Sequence, residues 1–349
     1  MARIFNMMLG YRRGGVERMA AVYHRMLAAE GHDVTTIGHP QGWVRDLLPE
    51  GADFIGAAPL SAYDPRLNAA LRRHVREARP DIILAHSNRA QSYAVRLDGV
   101  LRVAVQHNFR LKKRIRRLDG LIAVSPEIGE AVRRRFGTVA VEVVPNALDI
   151  TPVAERPPRR KPIVIGAIGR LHGAKGFDVL IRALATPGLA SRDWRLVVGG
   201  EGPELGALQS LAKRLGLADR ITFSGWISDV SGFFSAIDLY VMPSRLEPFG
   251  LTLIEALAAA VPTVVTDTSG TRDIVRGREV ALVVPLEDPE ATGLAIRRLI
   301  EDEALAVRLG EAGRRYAASA YGPQTIGPVL SAVVGRFLAS SVPIRVSAA

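Results

Sequence analysis

Short apolar runs alternate along this chain with longer stretches whose apolar positions recur every three or four residues. An unbroken apolar run bounded by glycine, proline or polar residues suits a strand buried on both faces, whereas the wider spacing gives a helix one buried side. On that reading residues 2–8, 33–37, 82–86, 101–106, 121–125 and 139–145 are strands, and 16–30 and 125–136 are helices. The second helix carries its own punctuation. Ser125 is placed to cap it, Pro126 suits a first turn that needs no N–H, and Gly137 can end it in a left-handed conformation. The alternation restarts after residue 162, with strands expected at 163–168, 195–199, 220–224, 239–243, 263–267 and 281–284. Helices are expected there at 177–184, 203–215, 251–260 and 289–300. This order predicts an α/β protein with parallel sheets covered by helices.

Between the two halves, "ITPVAERPPRRKP" at 150–162 has no periodicity and is rich in proline and basic residues, so it reads as a linker. The expected organisation is one α/β domain over 1–150, a linker over 151–162, a second α/β domain over 163–325 and a C-terminal helix over 326–340, followed by a loose tail. At 349 residues and 48% hydrophobic, the chain has enough apolar surface for two cores. It contains no cysteine, which excludes disulfides, thiolate metal sites and a thiol nucleophile. The first apolar stretch turns polar at Tyr11-Arg12-Arg13, too early for a signal segment or a membrane span, so a cytoplasmic protein is expected.

Charge separates the halves. Residues 1–162 hold 27 Lys+Arg against 16 Asp+Glu, which is +11, while 163–349 hold 19 of each. A basic half next to a neutral one predicts different partners for the two, with an anionic surface or polyanion for the first.

Candidate chemistry lies on turns that follow strands, where open α/β sheets bind ligands. In "GYRRGGVERM", Gly14 and Gly15 precede a helix and would let backbone N–H groups approach a phosphate. An ordinary strand-to-helix turn has the same composition. In "GRLHGAKG", Arg170 and Lys175 put two cations at a helix start, where they can neutralise a diphosphate leaving group or form a solvated basic loop. In "SRLEPFGLTLIEALA", Glu247 and Glu255 flank Phe249, Gly250 and Leu251 at the entry to a helix. The pair can hold hydroxyls of one ligand, or each can simply complement the positive end of the helix.

These segments, together with "VPNALD", "GGEGPE", "FSGWI" and "PTVVTDTSGTRDIV", resemble glycosyltransferase family 4 over roughly residues 1–320 and in the same order. The E-x7-E element with its internal Phe-Gly is the most specific part. The resemblance implies a GT-B fold, two Rossmann-like parallel-sheet domains facing across a cleft. It also implies retaining transfer of a sugar from a UDP- or GDP-linked donor to an acceptor hydroxyl, with no cofactor and no metal. In that family Glu255 would bind the ribose and Glu247 the donor sugar, while the amides of Phe249, Gly250 and Leu251 would hold sugar and phosphate. Arg170 and Lys175 would meet the diphosphate, Gly15 and its neighbour Gly14 would close over it, and the backbone near Ile227 would meet the base. His107, in "VAVQHNFR", would sit beside the transferred sugar; read alone, it is equally a strand-end histidine bonded to backbone. His86, in "LAHSNRA", would line the acceptor cleft. The chain departs from the family pattern at Ala260 and Ala281, where glycine is usual.

In "NFRLKKRIRRL", Leu111, Ile115 and Leu118 fall at helical spacing among Lys112, Lys113, Arg114, Arg116 and Arg117. This is the composition of an interfacial helix on an anionic membrane, or of a solvated basic helix with an apolar inner side. On the first reading Lys112, Lys113 and Arg116 belong to the acceptor side, and the acceptor is a glycan or lipid-linked saccharide. Two rivals stay open. One is an epimerase or hydrolase acting on nucleotide sugars on the same fold; the other is a non-enzymatic protein that binds through its basic half. Nucleic acid is not expected as a partner, because aromatic residues are only 6% of the chain and no motif interleaves them with the basic runs.

Overall fold

The computed structural model describes residues 1–340 apart from 12, 62, 63, 150–158 and 160. Most of the expected linker and all of the expected tail beyond residue 340 lie outside the described residues. Contacts divide the chain into two compact units, Met1–Ala147 with Pro323–Ala349, and Leu148–Gly322. The divisions thus fall a few residues before the 150 and 325 expected from sequence.

The first unit runs β1 (Arg3–Met8), α1 (Gly15–Ala29), β2 (Asp33–Gly38), α2 (Trp43–Asp46), β3 (Phe54–Gly56), α3 (Pro65–Ala78), β4 (Ile82–His86) and α4 (Ser87–Ala94). It continues through β5 (Leu101–Gln106), β6 (Gly120–Ala123), α5 (Pro126–Phe136) and β7 (Ala140–Val143). Its seven parallel strands lie in the order β3-β2-β1-β4-β5-β6-β7. The central strands are largely apolar because helices cover both faces: Ile4, Met7, Ile83 and Leu84 have no exposure at all. Helix α5 forms as its punctuation predicts. The Ser125 hydroxyl accepts from the Ile128 N–H, and Gly137 closes the end at φ 32°.

The second unit runs β8 (Ile163–Ile168), α6 (Phe177–Leu184), α7 (Pro187–Ala190), β9 (Trp194–Gly199), α8 (Leu205–Arg214), β10 (Ile221–Gly225), α9 (Val230–Ser235) and β11 (Leu239–Met242). It ends with α10 (Leu251–Ala258), β12 (Thr263–Thr266), α11 (Ser269–Val275), β13 (Leu282–Val284), α12 (Pro289–Glu301) and α13 (Glu303–Tyr321). Six parallel strands lie in the order β10-β9-β8-β11-β12-β13. Trp194, 1% exposed, anchors this core and donates its indole N–H to the Leu189 carbonyl at 2.8 Å. Burial of such a side chain contributes roughly 1.5–3 kcal/mol.

The last helix, α14 (Pro323–Ser340), belongs to the first unit. It packs on α1, Arg336 pairs with Glu142 at 2.8 Å, and Phe337 fills the space above Gly120 that a β-carbon would need. His32 joins Ser331 at 2.9 Å.

Each sheet follows a doubly wound order, so strand order reverses once in each: between β1 and β4 in the first unit, and between β8 and β11 in the second. Diverging connections at such a point leave a crevice beyond the carboxyl ends of the strands, and that is where this architecture binds ligands.

One sequence expectation is corrected here. The segment expected as a basic amphipathic helix forms only a short 3₁₀ turn, Lys113–Arg117. Leu111, Ile115 and Leu118 are 8%, 0% and 5% exposed, so its apolar side is committed to the unit's own core and offers nothing to a bilayer. Lys112, Lys113, Arg116 and Arg117 remain exposed.

Candidate active site

In the second unit the predicted residues gather at the β8/β11 reversal. The loop leaving β8 holds Arg170 and Lys175; the loop leaving β11 holds Glu247. Lys175 Nζ donates to Glu247 Oε2 at 2.6 Å, bringing together residues 72 positions apart. Both side chains are sheltered, at 23% and 10% exposure, so solvent screens the pair only in part. Glu247 therefore partners the loop cation in this structure. Arg170 is exposed beside it and makes no ion pair among the described residues.

The Lys175 loop is held by a residue to which the sequence reading gave no role. Arg245 Nη1 donates to the Gly173 carbonyl at 2.8 Å, and its guanidinium grips both oxygens of Asp178 at 2.7 and 2.8 Å. The same guanidinium donates to Glu287. The fork holds the Asp178 carboxyl below the usual carboxylate range. The backbone N–H groups of Arg245 and Leu246 also reach the Ala174 carbonyl, at 2.9 and 3.1 Å. The loop turns at Gly176, φ 64°, where a β-carbon would run into the Pro243 carbonyl.

Helix α10 starts at the left-handed Gly250, φ 99°, and no side chain caps it. The Phe249 ring turns inward, 7% exposed, and meets Tyr321 edge to face at 6.0 Å, which fixes the backbone at 249–251. Glu255 lies on the second turn of α10, half-buried. Both Glu247 and Glu255 act on Tyr240, a fully buried strand residue. Burial raises its hydroxyl above the usual range; the hydrogen bond to Thr252, at 2.8 Å, opposes this and the two carboxylates add to it. Sequence reading missed Tyr240 because a tyrosine within "LYVMPS" looks like a core aromatic. Ile227 packs over Gly199 at the end of β9, where a β-carbon would collide with it.

In the first unit Gly14 and Gly15 open α1, with Gly14 extended at φ 176°. The Glu17 carboxylate folds back to where β-carbons of Gly10 and Gly14 would stand. At the β1/β4 reversal His86 has no exposure, a correction to its expected place lining the acceptor cleft. Its Nε2 lies 2.9 Å from Asn6 Oδ1, and its Nδ1 lies 3.1 Å from His107 Nε2. His107 is half-buried beyond the end of β5, and its ring stacks on that of His86 at 5.3 Å. The partner of His107 among the described residues is therefore a side chain, not the backbone that one of its two sequence readings suggested. Burial lowers the pKa of His107 to about 4 and that of His86 well below its ordinary value, so both are neutral at pH 7.

Two family models cover most of the chain: "Glycosyltransferase Family 4" over residues 13–152 and "Glycosyl transferases group 1" over 153–316. A lipopolysaccharide core biosynthesis glycosyltransferase of Rhizobium meliloti strain 1021, LpsE, is 30% identical over 86% of this chain and 89% of its own. This chain is a GT4-type glycosyltransferase. A lipopolysaccharide core biosynthesis mannosyltransferase of Rhizobium leguminosarum bv. viciae, LpcC, is also 30% identical, over 67% of the glycosyltransferase described here and 69% of its own length. Among solved structures, a glycosyltransferase from Rickettsia africae superposes with TM-score 0.82 at 18% identity, covering 97% of this chain and 99% of that one. Anabaena HepE in complex with UDP and glucose gives 0.80 at 19% identity, covering 96% and 100%. These likenesses show the GT-B fold for the glycosyltransferase: two Rossmann-like units, each with its own parallel sheet.

Proposed function

We propose that this glycosyltransferase moves a sugar, with retained anomeric configuration, from a nucleoside-diphosphate sugar to a hydroxyl of a glycan or lipid-linked saccharide. The observation that carries this reading is the Lys175–Glu247 contact at the β8/β11 reversal. It joins a cation suited to a diphosphate and a carboxylate suited to sugar hydroxyls at the place where a doubly wound sheet presents its ligand. Glu255 takes the ribose hydroxyls, the backbone at Phe249, Gly250 and Leu251 takes sugar and phosphate, Ile227 marks the base, and Gly14 and Gly15 approach the phosphates. His107 meets the transferred sugar.

As the glycosidic bond breaks, positive charge grows on the sugar and negative charge on the leaving diphosphate. Arg170, Lys175 and the uncapped start of α10 answer the second charge. The acceptor attacks from the leaving-group side, and its proton passes to the diphosphate. With two cations supplied by the chain, the reaction is proposed to need no metal; activity abolished by EDTA and restored by Mg²⁺ would overturn that part.

A UDP-linked donor is favoured by the UDP complex of HepE, and an envelope saccharide acceptor by the names of LpsE and LpcC. Lys112, Lys113 and Arg116, exposed on the basic unit, are proposed to meet anionic groups of the acceptor or of a membrane at the cytoplasmic face. Their contact is electrostatic alone, about 1 kcal/mol per cation near an anionic surface. Flotation with liposomes that does not change with anionic lipid content would remove the membrane part. Among the described residues no helix is long and apolar enough to cross a membrane.

The deciding experiment is thermal melting with UDP, GDP, ADP and their sugars. A nucleotide at about a hundred times its Kd stabilises the folded state by ~2.7 kcal/mol. The expected result is a shift with one nucleotide family that disappears in Glu255→Ala; no shift with any nucleotide would sink the reading.

A further inference from the structure

Behind His107 runs a line of buried polar groups that the donor chemistry described above does not use. Asn6 sits in the middle of β1 with no exposure. Its Nδ2 donates to the Ala20 carbonyl at 2.8 Å and to Thr36 Oγ1 at 3.0 Å. A carbonyl can only accept, so the amide nitrogen must face Ala20, and Asn6 Oδ1 must face His86. His86 Nε2, 2.9 Å away, therefore carries the proton. In a neutral imidazole the other nitrogen is then bare, so His86 Nδ1 accepts. Across 3.1 Å the donor has to be His107 Nε2–H. That leaves His107 Nδ1 as a lone pair, and it meets no partner among the described residues. Tyr23 packs edge-on to His86 at 4.9 Å and blocks sideways movement of its ring. Thr36 continues the line to His24 Nδ1 at 3.0 Å.

A polar line of this kind is costly to bury unless every member is satisfied, and here each group's role is dictated by its neighbour. We propose that Asn6 and His86 are positioning residues that hold His107 as one neutral tautomer, protonated on Nε2, so that Nδ1 accepts a hydrogen bond from a hydroxyl of the transferred sugar. The proposal rests on the transferase reading for what Nδ1 meets, but not for the tautomer itself. Its chemical sense lies in the sign of the charge that develops. A sugar losing its leaving group becomes cationic; an imidazolium beside it would oppose the reaction, whereas a lone pair directed at its hydroxyl does not. The ultimate orienter is the Ala20 main-chain carbonyl, which cannot titrate.

The test is nitrogen-detected NMR of the histidine rings in the full chain at pH 7, which reads tautomers without any substrate. Wild type should show His107 with a protonated Nε2 and a bare Nδ1. His86→Leu removes the acceptor and should leave His107 in mixed tautomers with a lower kcat and little change in donor KM, while His86→Gln, which can still donate to Asn6 and accept from His107, should restore the single tautomer and most of the kcat lost in His86→Leu. Asn6→Leu, which removes the acceptor for His86 Nε2–H, should likewise release the tautomer of His86 and with it that of His107. The proposal is overturned by a wild-type His107 that is mixed or protonated on Nδ1, by His86→Leu and Asn6→Leu both leaving a single Nε2–H tautomer, or by His86→Gln failing to restore it. If no nucleotide sugar binds, the transferase reading fails while the tautomer result stands.

Discussion

The two units share a strand order and place their polar residues at the same topological point, yet they build opposite kinds of site. At the β8/β11 reversal the second unit joins charges, Lys175 with Glu247 and Arg245 with Asp178 and Glu287, on loops and a helix start partly open to water. At the β1/β4 reversal the first unit lines up neutral groups, Asn6, His86 and His107, in or beside a dry interior. Charge proposed to answer a phosphate is best held on a surface loop, where its own desolvation cost is small. A tautomer is best held inside, where no water competes for the hydrogen bond. One fold serves both because strand ends supply rigid positions and the connecting loops supply chemistry.

The largest effect expected from breaking this contrast is on the charged side. Glu247→Gln keeps the size of the side chain, deletes the carboxylate and leaves Lys175 without its partner. Turnover should fall about a thousandfold, ~4 kcal/mol in the barrier, with the melting temperature nearly unchanged. Steady-state kinetics beside a melt would show it, and a loss smaller than that of His86→Leu would reverse the ranking of the two sites.

Acid should separate the units next. His24, His86 and His107 are held below their ordinary pKa by burial, His107 at about 4, so as pH falls below about 6.5 the unfolded chain binds protons that the folded first unit refuses. Stability of that unit is complete above that pH and falls as pH drops below it, by at most about 1.4 kcal/mol per pH unit for each histidine. In the second unit Asp178 is held down by Arg245, and its contribution is lost only below the usual carboxylate range. Calorimetry at pH 7, 5.5 and 4.5 should show one transition moving down well before the other; transitions that move together would erase the distinction.

The smallest effect concerns Ala260, which occupies φ 54° just after α10, a conformation that costs an alanine about 1 kcal/mol. Ala260→Gly should raise the melting temperature of the second unit by about 2–4 °C and leave that of the first in place. A lower melting temperature would mean that the methyl group packs better than its backbone strain costs.

How much of this could be read from the sequence follows the same division. Strands such as β4 and β8, and the helix between Ser125 and Gly137, announce themselves through local pattern and punctuation. The grouping of Glu247, Phe249, Gly250 and Glu255 was legible because they stand within one turn and one helix. Asn6 gave no signal: it is a lone polar residue in an apolar strand, and its partner His86 is 80 positions away. Long-range polar pairing leaves no periodicity, so His86 was expected to line an acceptor cleft, whereas its side chain has no exposure. Helix α3 was overlooked although Asp64 before Pro65 is a start signal, and Asp64 does accept from the Arg66 and Leu67 N–H groups. The two readings of the basic segment stayed open for a related reason: spacing shows that Leu111, Ile115 and Leu118 share a side, but not that this side meets the unit's own core.

Helix α14 carries a consequence for how the molecule is made. Residues 148–322 are contiguous, so the second unit is complete as soon as they leave the ribosome. The first unit, begun earlier, still lacks the helix that covers α1 and fills the space over Gly120. The half synthesised first is therefore the half finished last, and for the whole time its partner is being translated it must wait with an apolar face uncovered. Ribosome-bound chains stopped before and after α14 would show that delay directly as a late gain of protease resistance confined to the N-terminal unit.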